Sequence, residues 1–222
     1  MSWDLKKEIG RKAIHLLSIF FLIIYIIFAS TFSHRIALLI LGFLLITLIE
    51  FEYLRVETGM KIPIISLLWR YRRAKERNKL GGEVYFLIAS ILCLALFDLR
   101  IAAAAILMLT FGDLVAALIG KRFGRIWIPK LKDRAVEGVL AELAVDLIIG
   151  FLIIRSLVNG SVWWLSSIIP SGQPIWPIII TMALTATIVE TLVHKLDDNL
   201  LVPLFSGFNG QIVLILLSIK II

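Results

Sequence analysis

Residues 110–146 read TFGDLVAALIGKRFGRIWIPKLKDRAVEGVLAELAVD, a basic island punctuated by glycine and set between two strongly apolar segments. Asp113 lies inside an otherwise apolar run, with Ala116, Ala117 and Gly120 three, four and seven positions later. At helical periodicity these small residues form one stripe, along which another helix or a ligand could approach closely. Lys121, Arg122 and Arg125 follow in a loop that carries Gly120 and Gly124, and then come Pro129, Lys130, Lys132 and Arg134. The next apolar segment opens on Glu137-Gly138 and carries Glu142 and Asp146 within it. Crossing a bilayer requires none of these acids, which are costly at membrane depth, so a functional role is the first hypothesis for them.

The rest of the chain makes that depth a membrane. Of the 222 residues 60% are hydrophobic, the net charge is +7 and the mean hydropathy is +0.98. Neither an ordinary soluble domain nor a disordered chain has that composition. Several apolar stretches approach the ~20 residues that cross a hydrocarbon core of about 30 Å. Seven spans are expected, at 12–31, 35–53, 83–98, 101–119, 136–156, 175–193 and 201–221, the third of them short. The fold class is therefore all-α, a polytopic helical membrane protein forming a single domain over 1–222. Lys6, Lys7, Arg11 and Lys12 precede a first apolar run without a small-residue cleavage site, so that run reads as a span rather than a signal peptide. Cys93 is the only cysteine, which excludes an intrachain disulfide.

Basic residues set the orientation. Of the 23 Lys and Arg, all except Arg35, Arg100, Arg155 and Lys220 fall on the side of the N-terminus, the second loop and the island. By the positive-inside rule that side is cytoplasmic. Within the second loop, Pro63–Trp69 runs into Arg70-Tyr71-Arg72-Arg73-Ala74-Lys75, which reads as an interfacial helix with its cations toward anionic headgroups. An adjacent membrane surface accounts for these charges, so no nucleic-acid partner is expected. Residues 161–174, with Trp163, Trp164, Pro170 and Gly172, read as an interfacial loop.

Two further groups stand out. Glu8, Arg11, Lys12 and His15 share one helix face entering the membrane, either as topology-setting charge or as groups that bind phosphates or position a lipid hydroxyl. Near the other end, Glu190 closes the sixth span and His194-Lys195-Leu196-Asp197-Asp198-Asn199 follows, ahead of Pro203. This loop reads either as a helix cap built on Asp198 or Asn199 or as part of a site. His34 lies on the outer side and reads as incidental to function.

Taken together, Gly112-Asp113, Ala116, Gly120, Phe123-Gly124, Pro129, a following Lys and Val136-Glu137-Gly138 resemble the nucleotide-binding signature of the CTP-dependent lipid-alcohol kinases, which comprise dolichol and polyprenol kinase, phytol kinase and a CTP-dependent diacylglycerol kinase. The Glu-x-x-Arg-Lys-x-x-His start, the Gly81-Gly82-led third span and the Val-Glu, Asp-Asn, Val-Pro sequence near the C-terminus are similar to the same family, most of all to an archaeal-type dolichol kinase. The chain departs from the pattern at Lys132-Asp133-Arg134-Ala135-Val136, where relatives place a Lys and a small hydroxyl residue before the Glu-Gly pair, and at Val139. No GxxxxGK[ST] is present, so an ordinary P-loop is not expected.

The resemblance implies transfer of the γ-phosphoryl group of CTP to a membrane lipid alcohol, with Mg2+ as cofactor and the bilayer as the substrate's solvent. Phosphoryl transfer asks mainly for positioning and positive charge, which Lys, Arg and carboxylate-held magnesium supply. The implied catalytic residues are Asp113, Glu137 and Asp198. Gly112, Gly120, Lys121, Arg122, Gly124, Lys130, Lys132 and Gly138 are implied to bind the nucleotide. Asp113, Glu137, Glu190, Asp197 and Asp198 would hold metal, and Arg11, Lys12, His15 and Asn199 would position phosphate or substrate. Two other readings stay open: a cytidylyltransferase forming a CDP-lipid, and a transporter using Asp113, Glu142 and Asp146 as coupling sites.

Overall fold

A computed structural model describes residues 16, 19–59, 80–129, 134–158, 174–193 and 196–219. These form seven helices: α1 (Ile19–Thr31), α2 (His34–Thr58), α3 (Gly82–Leu96), α4 (Leu99–Phe123), α5 (Val136–Val158), α6 (Trp176–Leu192) and α7 (Asp198–Ile219). Among the described residues there is no strand, only an isolated antiparallel bridge between Trp127 and Ala135. The all-α expectation holds. The expected interfacial helix at 63–75, most of the loop at 161–174, and Arg11, Lys12, His15, Lys130, Lys132 and His194 lie outside the described residues.

By length and composition α2, α4 and α7 can each cross a bilayer, while α1, α3 and α6 are shorter apolar helices. Several helices run past the expected spans, because the polar residues that mark the end of an apolar run do not end a helix. The second span, expected to stop at 53, continues to Thr58 and ends on Gly59, whose φ of 65° is the left-handed conformation that glycine adopts most readily.

The chain divides into two compact units, residues 1–91 and 92–222. In the first, α1 and α2 form a hairpin around Ser33, whose hydroxyl accepts from the Ile36 N–H at the start of α2. His34, expected to be incidental, is tied to the hairpin by a 2.6 Å hydrogen bond to the Tyr25 hydroxyl. Buried Glu52 pairs with Arg55 at 2.9 Å and accepts from the Gly81 N–H at 3.1 Å.

In the second unit α4 to α7 form an up-down-up-down bundle. Gly120 meets Gly138, Gly112 meets Asp146 and Met108 meets Gly150, so each step back along α4 is a step forward along α5. Contacts of Gly207 with Ala105 and of Gly210 with Ile101 set α7 antiparallel to α4 in the same way. α4 opens on Asp98, whose carboxylate accepts from the Arg100 N–H, and its Ala102–Ala105 run is buried. The stripe of small residues therefore serves helix approach: a Cβ on Gly138 would lie 2.7 Å from the Ala116 carbonyl oxygen and 3.0 Å from the Gly120 Cα.

Polarity is reversed relative to a water-soluble bundle. On α6 the inward face carries Thr187, Glu190 and Thr191, and the outward face presents Ile180, Leu184, Ile188 and Leu192, all exposed. On α2 Leu39 and Phe43 are 72% and 69% exposed. Lipid is the solvent that tolerates such faces, so the chain is a polytopic helical membrane protein.

The α4–α5 contact leads to a stability prediction. Gly138→Ala meets backbone that cannot move aside, so thermal unfolding in detergent is expected to show a loss of about 1–3 kcal/mol. Gly42→Ala, with nothing within 4 Å of the added Cβ, is expected to be neutral or to stabilise by up to about 1 kcal/mol. Equal melting of the two variants would contradict the packing described.

Candidate active site

The site begins where α4 ends. The loop from Gly124 returns to α5 through two antiparallel hydrogen bonds, Ile128 N–H to the Arg134 carbonyl at 3.1 Å and Val136 N–H to the Ile126 carbonyl at 2.9 Å. That pairing brings Arg134 to the mouth of the bundle. One of its guanidinium N–H groups (Nη2) donates to Glu190 Oε1 at 2.7 Å and to the Glu190 carbonyl at 3.2 Å. Nη1 lies 3.9 Å from Glu142 Oε2. The Glu190 carbonyl is among the last four of α6, which lack a partner within the helix, so the cation also caps that helix end. Burial works against the Arg134 cation, but Glu190, then Asp113 and Glu142, outweigh it and hold the guanidinium above its ordinary pKa. Its charge is permanent.

Behind Arg134 the interior is acidic. Glu142, Asp146 and Glu190 are each at most 2% exposed, and Asp113 is 9% exposed. Asp146 Oδ2 accepts from the Thr187 hydroxyl at 3.4 Å, and Thr187 also donates to the Ala183 carbonyl. Asp146 Oδ1 lies against Gly112, where a Cβ would come within 2.7 Å of it. Glycine at 112 is what gives that carboxylate room. Neither Asp146 Oδ1 nor Glu142 Oε2 has a hydrogen-bond partner.

Outside the bundle mouth the same loop turns around Glu137, in the first turn of α5. Its Oε1 accepts from the backbone N–H of Arg125 at 2.9 Å and of Ile126 at 3.2 Å, and Oε2 lies 3.4 Å from the Ile126 nitrogen. Arg122, Phe123, Gly124, Arg125 and Glu137 line an open cavity of about 490 Å³, with the Arg122 guanidinium 5.5 Å from the Phe123 ring centre. At the start of α7, Asp197 Oδ1 accepts from the Asn199 N–H at 3.1 Å and from the Asn199 side-chain amide at 2.7 Å. The Asp197 carbonyl accepts from the Leu200 and Leu201 N–H groups. The cap is thus Asp197, one residue before the earliest position expected, and Asp198 is the first helical residue.

The expected residues are distributed accordingly. Asp113 and Glu190 act together on Arg134; Arg122, Gly124 and Glu137 share the loop cavity; Gly112, Gly120 and Gly138 lie in the α4–α5 contact. Lys121 is in the last turn of α4. Asp197, Asp198 and Asn199 are joined in the α7 cap. Among the described residues no three His, Cys, Asp or Glu side chains gather closely enough to hold a metal ion by themselves. Sequence reasoning left Arg134 and Thr187 unassigned and gave Glu142 and Asp146 only to a transporter. The signal was present in the four-residue spacing of Glu142 and Asp146 and the three-residue spacing of Thr187 and Glu190, each of which puts a polar pair on one helix face.

Comparison with known proteins adds relatives of one kind. The chain is 27% identical over 205 residues to "Probable phytol kinase, chloroplastic" of Triticum aestivum, covering 90% of this chain and 65% of that protein. It is 26% identical over 221 residues to "CTP-dependent diacylglycerol kinase 1" of Schizosaccharomyces pombe, covering 92% and 93%. With "Probable phytol kinase 3, chloroplastic" of Glycine max it shares 29% identity over 219 residues, covering 94% and 64%. The chain spans a little under two thirds of the length of these plant proteins. No family model and no solved structure matches it.

Removing this part-buried cation exposes the energetics of the cluster. Arg134→Ala leaves Glu190 and Glu142 without their counter-charge and is expected to cost about 3 kcal/mol or more of stability in detergent. The double variant Arg134→Ala/Glu190→Gln, which removes one stranded charge, is expected to recover part of that loss. Additive losses in the double variant would show that the two side chains are not coupled.

Proposed function

For a chain homologous to the CTP-dependent lipid kinases, we propose that it transfers the γ-phosphoryl group of CTP to the hydroxyl of a membrane lipid alcohol, a dolichol or polyprenol, releasing CDP and the lipid monophosphate. The observation that carries this reading is the juxtaposition, where α4 ends and the following loop returns to α5, of two features: a cavity flanked by Arg122 and Arg125, and Arg134 reaching into buried carboxylates. A polyphosphate needs the first and phosphoryl transfer needs the second. The reversed polarity of the helices supports an acceptor dissolved in lipid, and the charge distribution along the chain supports a site open to the cytoplasm.

In the proposed reaction the lipid hydroxyl oxygen attacks the γ-phosphorus while the bond from that phosphorus to the β-phosphate oxygen breaks. The hydroxyl proton passes to a carboxylate, for which Asp113 is the choice, and CDP leaves. Lys121, Arg122, Lys130 and Lys132 bind phosphates, and Arg11, Lys12, His15 and Asn199 position phosphate or acceptor. The donor set fits magnesium: Glu142 Oε2 and Asp146 Oδ1 are hard oxygens without hydrogen-bond partners, and magnesium keeps several waters while taking only one or two carboxylates. Glu142 and Asp146 are the residues that would hold it, while Glu190 is engaged by Arg134. When bound, the ion supplies positive charge across the phosphates.

The test offers purified protein a panel of lipid alcohols, including dolichol, polyprenol, phytol and diacylglycerol, with radiolabelled CTP, ATP, GTP or UTP and Mg2+. Label from CTP is expected in a polyprenol-type monophosphate with release of CDP, and Asp113→Ala is expected to lower the rate by at least about a hundredfold. Release of pyrophosphate would identify a cytidylyltransferase instead. Unchanged nucleotide, with ion or solute flux in liposomes, would identify a transporter.

A further inference from the structure

Glu137 is one of the acids that the family pattern suggests as a metal ligand or base, and its surroundings argue for different work. Both backbone N–H groups at the turn, those of Arg125 and Ile126, converge on Oε1 at 2.9 and 3.2 Å, and Oε2 is 3.4 Å from the second of them. The carboxylate crosses from the first turn of α5 to the residues that follow α4, spanning a loop whose ends are also joined by the short ladder around Trp127 and Ala135. A cap from a helix's own side chain would satisfy N–H groups of that helix. Here the carboxylate also takes two N–H groups of the incoming loop, those of Arg125 and Ile126. One of the amides so held is that of Arg125, next to Gly124, and Arg122 sits just before them in the last turn of α4; Arg122, Gly124 and Arg125 line the same open cavity with Glu137. Gly124 fits the turn because a Cβ there would come within 2.6 Å of the Ala135 Cβ.

We propose that Glu137 is a positioning residue, acting as a hydrogen-bond acceptor that fixes the Gly124–Ile126 turn so that Arg125 joins Arg122, at the end of α4, in facing one cavity that receives the phosphates of the nucleotide; this rests on the kinase reading above. Acceptance from two N–H groups needs an oxygen at Oε1 and does not need a second oxygen or a full negative charge. Metal ligation and proton abstraction need the carboxylate. Substitution by glutamine separates the two roles, because the amide keeps one carbonyl oxygen of the same reach.

Glu137→Gln, Glu137→Ala and Arg125→Ala are compared in detergent, with and without phosphatidylglycerol, by CTP binding, by KM and kcat, and by hydrogen exchange of the peptide covering residues 124–127. Glu137→Ala and Arg125→Ala are expected to weaken CTP binding and raise its KM by about tenfold, with a smaller change in kcat. Glu137→Ala is expected also to speed exchange at the turn. Glu137→Gln is expected to stay within about threefold of the parent in binding and to keep the turn protected. Glutamine as damaging as alanine to kcat would overturn the proposal in favour of a ligand or base. So would an alanine variant whose exchange is unchanged, or an Arg125→Ala variant that loses only its affinity for phosphatidylglycerol, since the cations would then serve headgroups. If the parent binds no CTP, the kinase reading fails by itself, and protection of the turn alone decides whether Glu137 holds it.

Discussion

A guanidinium held among carboxylates at the mouth of a helix bundle is the interaction on which the second unit depends. Glu190, Glu142, Asp146 and Asp113 come from three different helices, and such carboxylates cannot all be ionised in a low-dielectric interior without compensation. Arg134 supplies part of it, and it can do so only because the loop after α4 doubles back through the Trp127–Ala135 bridge and delivers it beside the end of α6. One ion pair therefore joins the loop to a helix 56 residues away. Loop position, helix end and buried charge are set together.

The same loop carries the chain's most concentrated surface chemistry. Arg122 and Arg125 line its open side while Arg134 faces inward, so a single segment offers cations to two environments. Glycines at 120, 124 and 138 make this compact arrangement possible by letting α4, the turn and α5 come within contact of one another's backbone. A polyphosphate donor on the watery side and an acceptor from the lipid side would meet at such a place. The proposed transfer needs that meeting, because an isoprenoid alcohol cannot leave the bilayer and a nucleotide cannot enter it.

Much of this was legible in the residues. Apolar segment lengths foretold an all-helical membrane chain, since only helices and closed barrels satisfy backbone groups in lipid. The island 110–146 announced itself through charges that spanning does not require. What could not be read was partnership across the chain: nothing in the local sequence says that Arg134 reaches Glu190, or that Asp146 meets Thr187 across two helices. The small-residue stripe was compatible with a helix or a ligand, and the structure gives it to a helix. Glu137 shows the same gap, as its Glu-Gly motif draws attention to charge and says nothing of the loop amides from which its carboxylate accepts. The helix cap at Asp197 was missed by one position because three consecutive polar residues each satisfy the cap preference.

The account stands most directly on where a nucleotide sits. Photocrosslinking of the detergent-solubilised protein with an azido-CTP, followed by peptide mapping, locates it without requiring turnover. Adducts within residues 121–137, displaced by excess CTP, are the predicted result. Adducts confined to residues 19–59, or labelling that excess CTP fails to displace, would contradict it.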